Sequence, residues 1–278
     1  MPQSTPLHRN RAFVFGPPIV LGIVGSLLLF QSAFAGPRLD LVEQKNQSIA
    51  QSEKPIERAS IASHAFTRMQ LDNPSSVFVI VNKQRPITPA NFVPGDLVEI
   101  TSSKALDNPR GHSLSLPAAN ALIAMALEMQ KQGQGQMTLN SGFRSFKTQQ
   151  ALFEGVVKSQ GEAQALLKAA KPSFSEHQTG LAADISFPAQ GCAVMTCFGG
   201  TKAGKWISEN SWKFGFIVRY KLGTEGITGY SYEPWHLRYV GYEVAKLYAE
   251  NGMKTLEEFW GLPAAPNYLP EIAASTND

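Results

Sequence analysis

Hydrophobic and polar positions divide the chain into zones of different character. An apolar run, strongest over residues 19–30, gives way at Gly36 to a polar stretch rich in Gln, Ser and Glu. That stretch, 36–75, buries too little apolar surface to fold alone and reads as a linker or arm, with one short helix near 56–69. Over 76–262 apolar residues return with strand and helix periods. The β-branched run Val77-Phe78-Val79-Ile80-Val81 predicts a buried strand, turned by Asn82-Lys83 and Arg85-Pro86. Leu116, Ala119, Leu122, Ile123, Ala126 and Met129 recur at helical spacing behind a capping Ser115 and an early Pro117, and Gly133 can end that helix. Residues 137–140 predict a short extended segment, and 147–170 a helical stretch broken near Gly161. A strand follows over 181–187, then a helix over 201–214 with Trp206, Ile207 and Phe214 inward. Strands are predicted at 215–220 and 235–240, and a last helix at 242–251 is stopped by Gly252. Residues 263–278, rich in Pro and Ala, are expected to form a peripheral tail. Helices and strands mix without regular βαβ alternation, so the expected class is α+β.

Composition adds bounds. A chain of 278 residues, 43% hydrophobic and 17% charged, has room for a real core in one sizeable domain or two small ones. The net charge of +3 is too small, and too dispersed, to suggest nucleic-acid binding. The N-terminus changes the picture more. His8, Arg9 and Arg11 precede the apolar run, and Ala33-Phe34-Ala35-Gly36 follows it with small residues where a signal peptidase reads. This three-part plan over 1–35 predicts a secretory signal cleaved after Ala35. The rival is an uncleaved membrane anchor, which Pro17 and Pro18 disfavour by breaking the run. Either reading exports the rest, to a periplasm or cell envelope. There, Cys192 and Cys197, in C-x4-C spacing, are expected to form a disulfide closing a small loop.

Among five histidines, only His177 and His236 have acidic company. The first cluster is Ser175-Glu176-His177-Gln178-Thr179-Gly180-Leu181-Ala182-Ala183-Asp184. A turn at Thr179-Gly180 leading into a strand would let His177 and Asp184 converge on one metal. The second cluster is Glu233-Pro234-Trp235-His236. It offers another imidazole and a nearby carboxylate. Zinc accepts both donor types, and three protein ligands leave a catalytic ion one open position. A lone His beside a Glu is more often a satisfied structural histidine, so spacing alone leaves the metal reading open. Ser141-Gly142-Phe143-Arg144-Ser145 places an always-charged planar fork on a Gly-containing turn, suited to a carboxylate or oxyanion. A structural salt bridge is the plainer account of an isolated Arg.

Together the three clusters, in this order, resemble the VanY-type D-alanyl-D-alanine carboxypeptidases, zinc peptidases of family M15 (subfamily B). Phe214-Gly215-Phe216-Ile217-Val218-Arg219-Tyr220 and Val81-Asn82-Lys83 add to the likeness, which runs over 77–260. The resemblance implies a small antiparallel sheet flanked by helices, like that of Hedgehog and DD-peptidases. It implies one catalytic zinc on His177, Asp184 and His236, with Glu233 as general base and Arg144 at the substrate. Ser141, Ser175 and Gln178 are candidate substrate contacts. The implied substrate is the terminal D-alanine of peptidoglycan stem peptides. An L,D-carboxypeptidase or endopeptidase could use the same site, and a non-catalytic wall-binding module is a further alternative.

Overall fold

The computed structural model describes residues 68–270. The predicted signal or anchor and most of the 36–75 arm lie outside the described residues. Among those described, no helix is long and apolar enough to cross a membrane.

The centre is a five-stranded sheet in the order β2 (Leu106–Asp107), β4 (Met137–Ser141), β5 (Ala182–Ser186), β7 (Glu233–Tyr239), β6 (Phe216–Tyr220). All pairs are antiparallel except the short edge pair of β2 and β4. A two-stranded ribbon of β1 (Leu97–Glu99) and β3 (Ser113–Ser115) stands apart. Around the sheet pack α1 (Arg68–Asp72), α2 (Leu116–Lys131), α3 (Phe146–Gln160), α4 (Glu162–Lys168), α5 (Lys202–Asn210), α6 (Glu225–Thr228), α7 (Tyr242–Glu250) and α8 (Leu256–Trp260). The expected α+β architecture is therefore the one observed.

The predicted stripe on α2 is turned slightly. Ala118, Ala119, Leu122, Met125, Ala126 and Met129 face the core, whereas Leu116 and Ile123 are exposed. Ser115 stands at the N-cap, but its hydroxyl makes no capping bond, because Ser115 also ends β3. The break near Gly161 is real: Gly161 has φ 82° and separates α3 from α4. The helix expected over 201–214 is α5 followed by a 3-10 turn at Ser211–Phe214.

The predicted strand at Val77–Val81 does not form. Val79 and Val81 are buried in the main core, while Ile80 enters a second cluster with Val240, Val244 and Tyr248. Carbonyls that a ladder would bond go instead to a side chain: the Arg238 guanidinium donates to Val77 O (3.2 Å) and Val79 O (2.6 Å). The start of the expected peripheral tail packs against the domain. Ala265 is buried and its N–H donates to Ile227 O, and the Tyr268 hydroxyl accepts from Lys171 N–H at 2.8 Å.

Candidate active site

Three sheet strands and one tight turn build the site. After Ser175 the chain makes a 3-10 turn, Glu176–Thr179, and Gly180 reverses it at φ 68°. A Cβ on Gly180 would lie 3.0 Å from both Leu97 Cδ2 and Ser115 N, so the turn has no room for a side chain there. The chain then enters β5, which carries Asp184, and β5 pairs with β7, which carries Glu233 and His236. Next to β5 on its other side, β4 ends at Ser141 and leads into Gly142, Phe143 and Arg144.

His177, Asp184 and His236 offer ligand atoms that all lie within 4.8 Å of one another. His177 Nε2 is 3.2 Å from Asp184 Oδ2, and His236 Nδ1 is 3.2 Å from Asp184 Oδ1. Buried His177 Nε2 and Asp184 Oδ1 have no hydrogen-bond partner, a costly state unless something else satisfies them. The opposite edge of each imidazole is committed. His177 Nδ1 lies 2.7 Å from Gly142 O, a group that can only accept, so Nδ1 carries the proton and Nε2 presents its lone pair. His236 Nε2 lies 3.2 Å from Glu176 Oε2, which leaves Nδ1 facing Asp184. Two oriented imidazole nitrogens and a carboxylate are a zinc donor set, and the residues present fit that ion.

Burial, helped by nearby Arg144, pushes His177 down to about 4, so its imidazole is neutral at physiological pH. Burial opposes charge on His236 too, but the Asp184 and Glu176 carboxylates, each 3.2 Å from a ring nitrogen, outweigh it and lift the group to about 9. Burial pushes Glu233 up to about 8; His236 and Arg144 oppose that rise and the Asp184 charge adds to it. Glu233 Oε2 is 3.6 Å from His236 Nδ1. Arg144 is mostly buried, 3.8 Å from Asp184 Oδ2, with its backbone N–H donating to His177 O.

Cavities open on both sides of this group. One of about 40 Å³ is lined by Arg144, Ser175, His177, Tyr220, Glu233 and His236, among others. Another of about 390 Å³ reaches Asp184, Ser141, Asn140, Arg110 and Val194. Ser175 lines the smaller cavity and Ser141 the larger. Gln178 lines neither: it is fully buried and its amide donates to Ala90 O (2.6 Å) and Phe92 O (3.2 Å), so it ties down a loop. Cys192 and Cys197 are joined in a disulfide, and Val194 within that loop borders the larger cavity.

Sequence reasoning passed over a set of buried charges behind His236. Glu176 Oε1 accepts from Arg219 Nε and Arg238 Nη1, each at 2.9 Å, and Arg219 also grips Glu257. Burial would raise Glu176, but Arg238 and Arg219 hold it well below the usual carboxylate range. The available signal was an arginine inside each of two apolar strand segments, Phe216–Tyr220 and Glu233–Tyr239.

Comparisons with known proteins agree with this geometry. The family model described as VanY, D-alanyl-D-alanine carboxypeptidase, matches residues 111–242. YodJ of Bacillus subtilis (strain 168), which bears the name of a carboxypeptidase, is 37% identical over 229 residues, covering 78% of this chain and 82% of YodJ. A D-alanyl-D-alanine carboxypeptidase of Enterococcus faecium is 31% identical, over 72% of this chain and 61% of its own length. Among solved structures, an LdcB LD-carboxypeptidase is 40% identical with TM-score 0.60, covering 68% of this chain and 87% of that one. The vancomycin-resistance D,D-pentapeptidase VanY, solved with Zn(II), is 31% identical with TM-score 0.54, covering 65% and 97%. This chain therefore belongs to the VanY family of D-alanyl-D-alanine carboxypeptidases.

Proposed function

We propose that this protein is an exported zinc carboxypeptidase that removes the terminal D-alanine from peptidoglycan stem peptides. One observation carries the reading: three donors converge within 4.8 Å, and a carboxylate of raised pKa stands beside them. His177, Asp184 and His236 would hold the zinc, whose Lewis acidity makes water acidic near neutral pH. Glu233 is the general base. It is mostly buried beside the donors, with Oε2 3.6 Å from His236 Nδ1, placed to take a proton from the attacking water and return it to the leaving amine. Arg144 lines the smaller cavity as a mostly buried cation, placed to bind a terminal carboxylate or a developing oxyanion; the exposed Lys168 also borders it. Ser175 lines the same cavity, and Ser141 the larger one, where the rest of the peptide would lie. The family acts on the wall, which agrees with the export signal; the N-terminal segment could also serve as a membrane attachment.

A second reading, L,D-carboxypeptidase action on tetrapeptides, draws support from the 40% identity to the LdcB structure. Released D-alanine, measured on pentapeptide and tetrapeptide substrates side by side, separates the two. Faster release from the pentapeptide supports the D,D reading. Release from neither substrate by zinc-loaded protein would remove both.

A further inference from the structure

We propose that Glu257, Arg219 and Glu176 form a positioning relay that orients the His236 ring at the metal site and ties helix α8 to the active site. The proposal rests on the zinc reading for what His236 does.

The relay is continuous. Glu257 on α8 binds Arg219 in a two-pronged pair, Nη1 to Oε2 at 3.0 Å and Nη2 to Oε1 at 2.7 Å. The remaining edge of Arg219 donates from Nε to Glu176 Oε1, and Arg238 Nη1 donates to the same oxygen. That leaves Glu176 Oε2 for His236 Nε2. The side chains of Glu176, Arg219, Arg238 and Glu257 are all 0–1% exposed. Asn82 adds a further donor to Glu257 Oε1 at 3.0 Å. Four elements contribute: the 3-10 turn, β6, β7 and α8.

Two buried arginines and two buried glutamates balance in charge, yet such a cluster is seldom worth more than well-packed apolar residues. Its geometry is directional, however. Both donors to Oε1 come from behind, so the free oxygen of Glu176 faces His236 and can only accept. Asp184 Oδ1, 3.2 Å from His236 Nδ1, is an acceptor as well, so the two carboxylates hold the ring from both edges. A metal taken at Nδ1 would leave the ring proton on Nε2, where Glu176 Oε2 is placed to accept it.

This logic makes Glu176→Gln informative. An amide has one oxygen, and Arg219 and Arg238 both require it. The NH2 group then faces His236 Nε2, so the N–H that a metal at Nδ1 would leave on Nε2 meets a donor instead of an acceptor. The outer bond that orients the ring is lost.

The test measures zinc affinity by chelator competition, with the folded fraction of each variant followed by circular dichroism. Glu176→Gln is expected to bind zinc about 10- to 100-fold more weakly. Glu257→Gln is expected to weaken zinc binding in the same direction by less. Leu122→Ala, in the core and away from the relay, serves as a destabilised control whose folded fraction binds zinc like wild type. Wild-type zinc affinity in Glu176→Gln would overturn the proposal. Should Glu176→Gln fail to fold, Glu257→Gln decides: weaker zinc binding than the control supports the relay, and equal binding overturns it. If the wild type itself binds no zinc, the zinc reading fails and the relay with it; zinc binding by the wild type that Glu176→Gln leaves unchanged fails the relay alone.

Discussion

Asp184 and His236 are direct cross-strand partners, paired across β5 and β7. Residues opposite one another in an antiparallel pair project from the same face, and a one-residue slip would send them to opposite faces. The sheet register, rather than a flexible loop, therefore sets two of the three donors. Asp184 also pairs with Ser141, just past a register shift in β4 between Leu139 and Ser141.

Asp184→Asn tests this placement. The amide keeps the shape and the strand pairing but not the charge, so the fold should persist. Zinc affinity should fall by more than about 100-fold, beyond what outer-sphere changes cause. Circular dichroism and metal analysis on the same sample check both statements. Stoichiometric zinc in the variant would remove Asp184 from the donor set.

Glu233→Gln should part catalysis from metal binding. Glu233 lies beside the donors but 3.6 Å from His236 Nδ1. Removing a general base typically costs about 100- to 10,000-fold in turnover. The variant is expected to keep its zinc and to lose turnover on that scale. Full activity in a folded, zinc-loaded variant contradicts the role.

Much of this was legible in the sequence, for physical reasons that differ by element. β5 and β7 were readable from their largely buried apolar positions, and the Thr179-Gly180 turn because a left-handed φ of 68°, crowded by Leu97 and Ser115, favours glycine. The 77–81 segment misled because its apolar residues are buried, as in a strand, while its carbonyls are bonded by Arg238 rather than by a neighbouring strand. The arginines behind His236 left a signal inside two apolar strands, but their partners did not, because contacts such as Asn82 with Glu257, 175 positions apart, form only in three dimensions. Gln178 misled by proximity: it adjoins a metal donor in sequence, yet its side chain points to the 90–92 loop.

Zinc removal should lower the melting temperature without unfolding the chain. A ligand that binds only the folded state adds about 4 kcal/mol at 1,000 times its dissociation constant. The core and the Glu176–Arg219–Glu257 cluster do not depend on metal contacts. Thermal melts with chelator and with graded free zinc should show a concentration-dependent shift. A melting temperature indifferent to zinc would mean that no site is loaded.

The Cys192–Cys197 bridge spans only five positions. Closing so short a loop restricts the unfolded chain by about 2 kcal/mol at most on the chain-entropy account. Replacing both cysteines with serine should therefore lower stability modestly. Because Val194 borders the larger cavity, KM should rise more than kcat falls. Global unfolding of the double variant at room temperature would show that the loop matters beyond its own neighbourhood.

Gly142 offers a test of the site at one remove from every donor. A Cβ there would lie 2.4 Å from Ser113 O, so the backbone of Gly142 packs against that carbonyl more closely than any side chain permits. The contact is sealed by the next residue, whose N–H donates to Ser113 O at 2.7 Å. From this position Gly142 O accepts the Nδ1 proton of His177. Gly142→Ala must push the strand end away from Ser113 and carry that carbonyl with it. Overpacking of this kind costs about 1–3 kcal/mol, and His177 should lose the bond that orients its Nε2. Zinc affinity is expected to fall about 10-fold or more, as for other outer partners of metal-binding histidines. Gly155 provides the contrast: it sits within α3, and an added Cβ there meets nothing within 4 Å. Gly155→Ala should leave zinc binding unchanged and raise stability by up to about 1 kcal/mol, the helix preference of alanine over glycine. Equal effects of the two substitutions on zinc affinity would show that the Gly142 carbonyl does not orient His177.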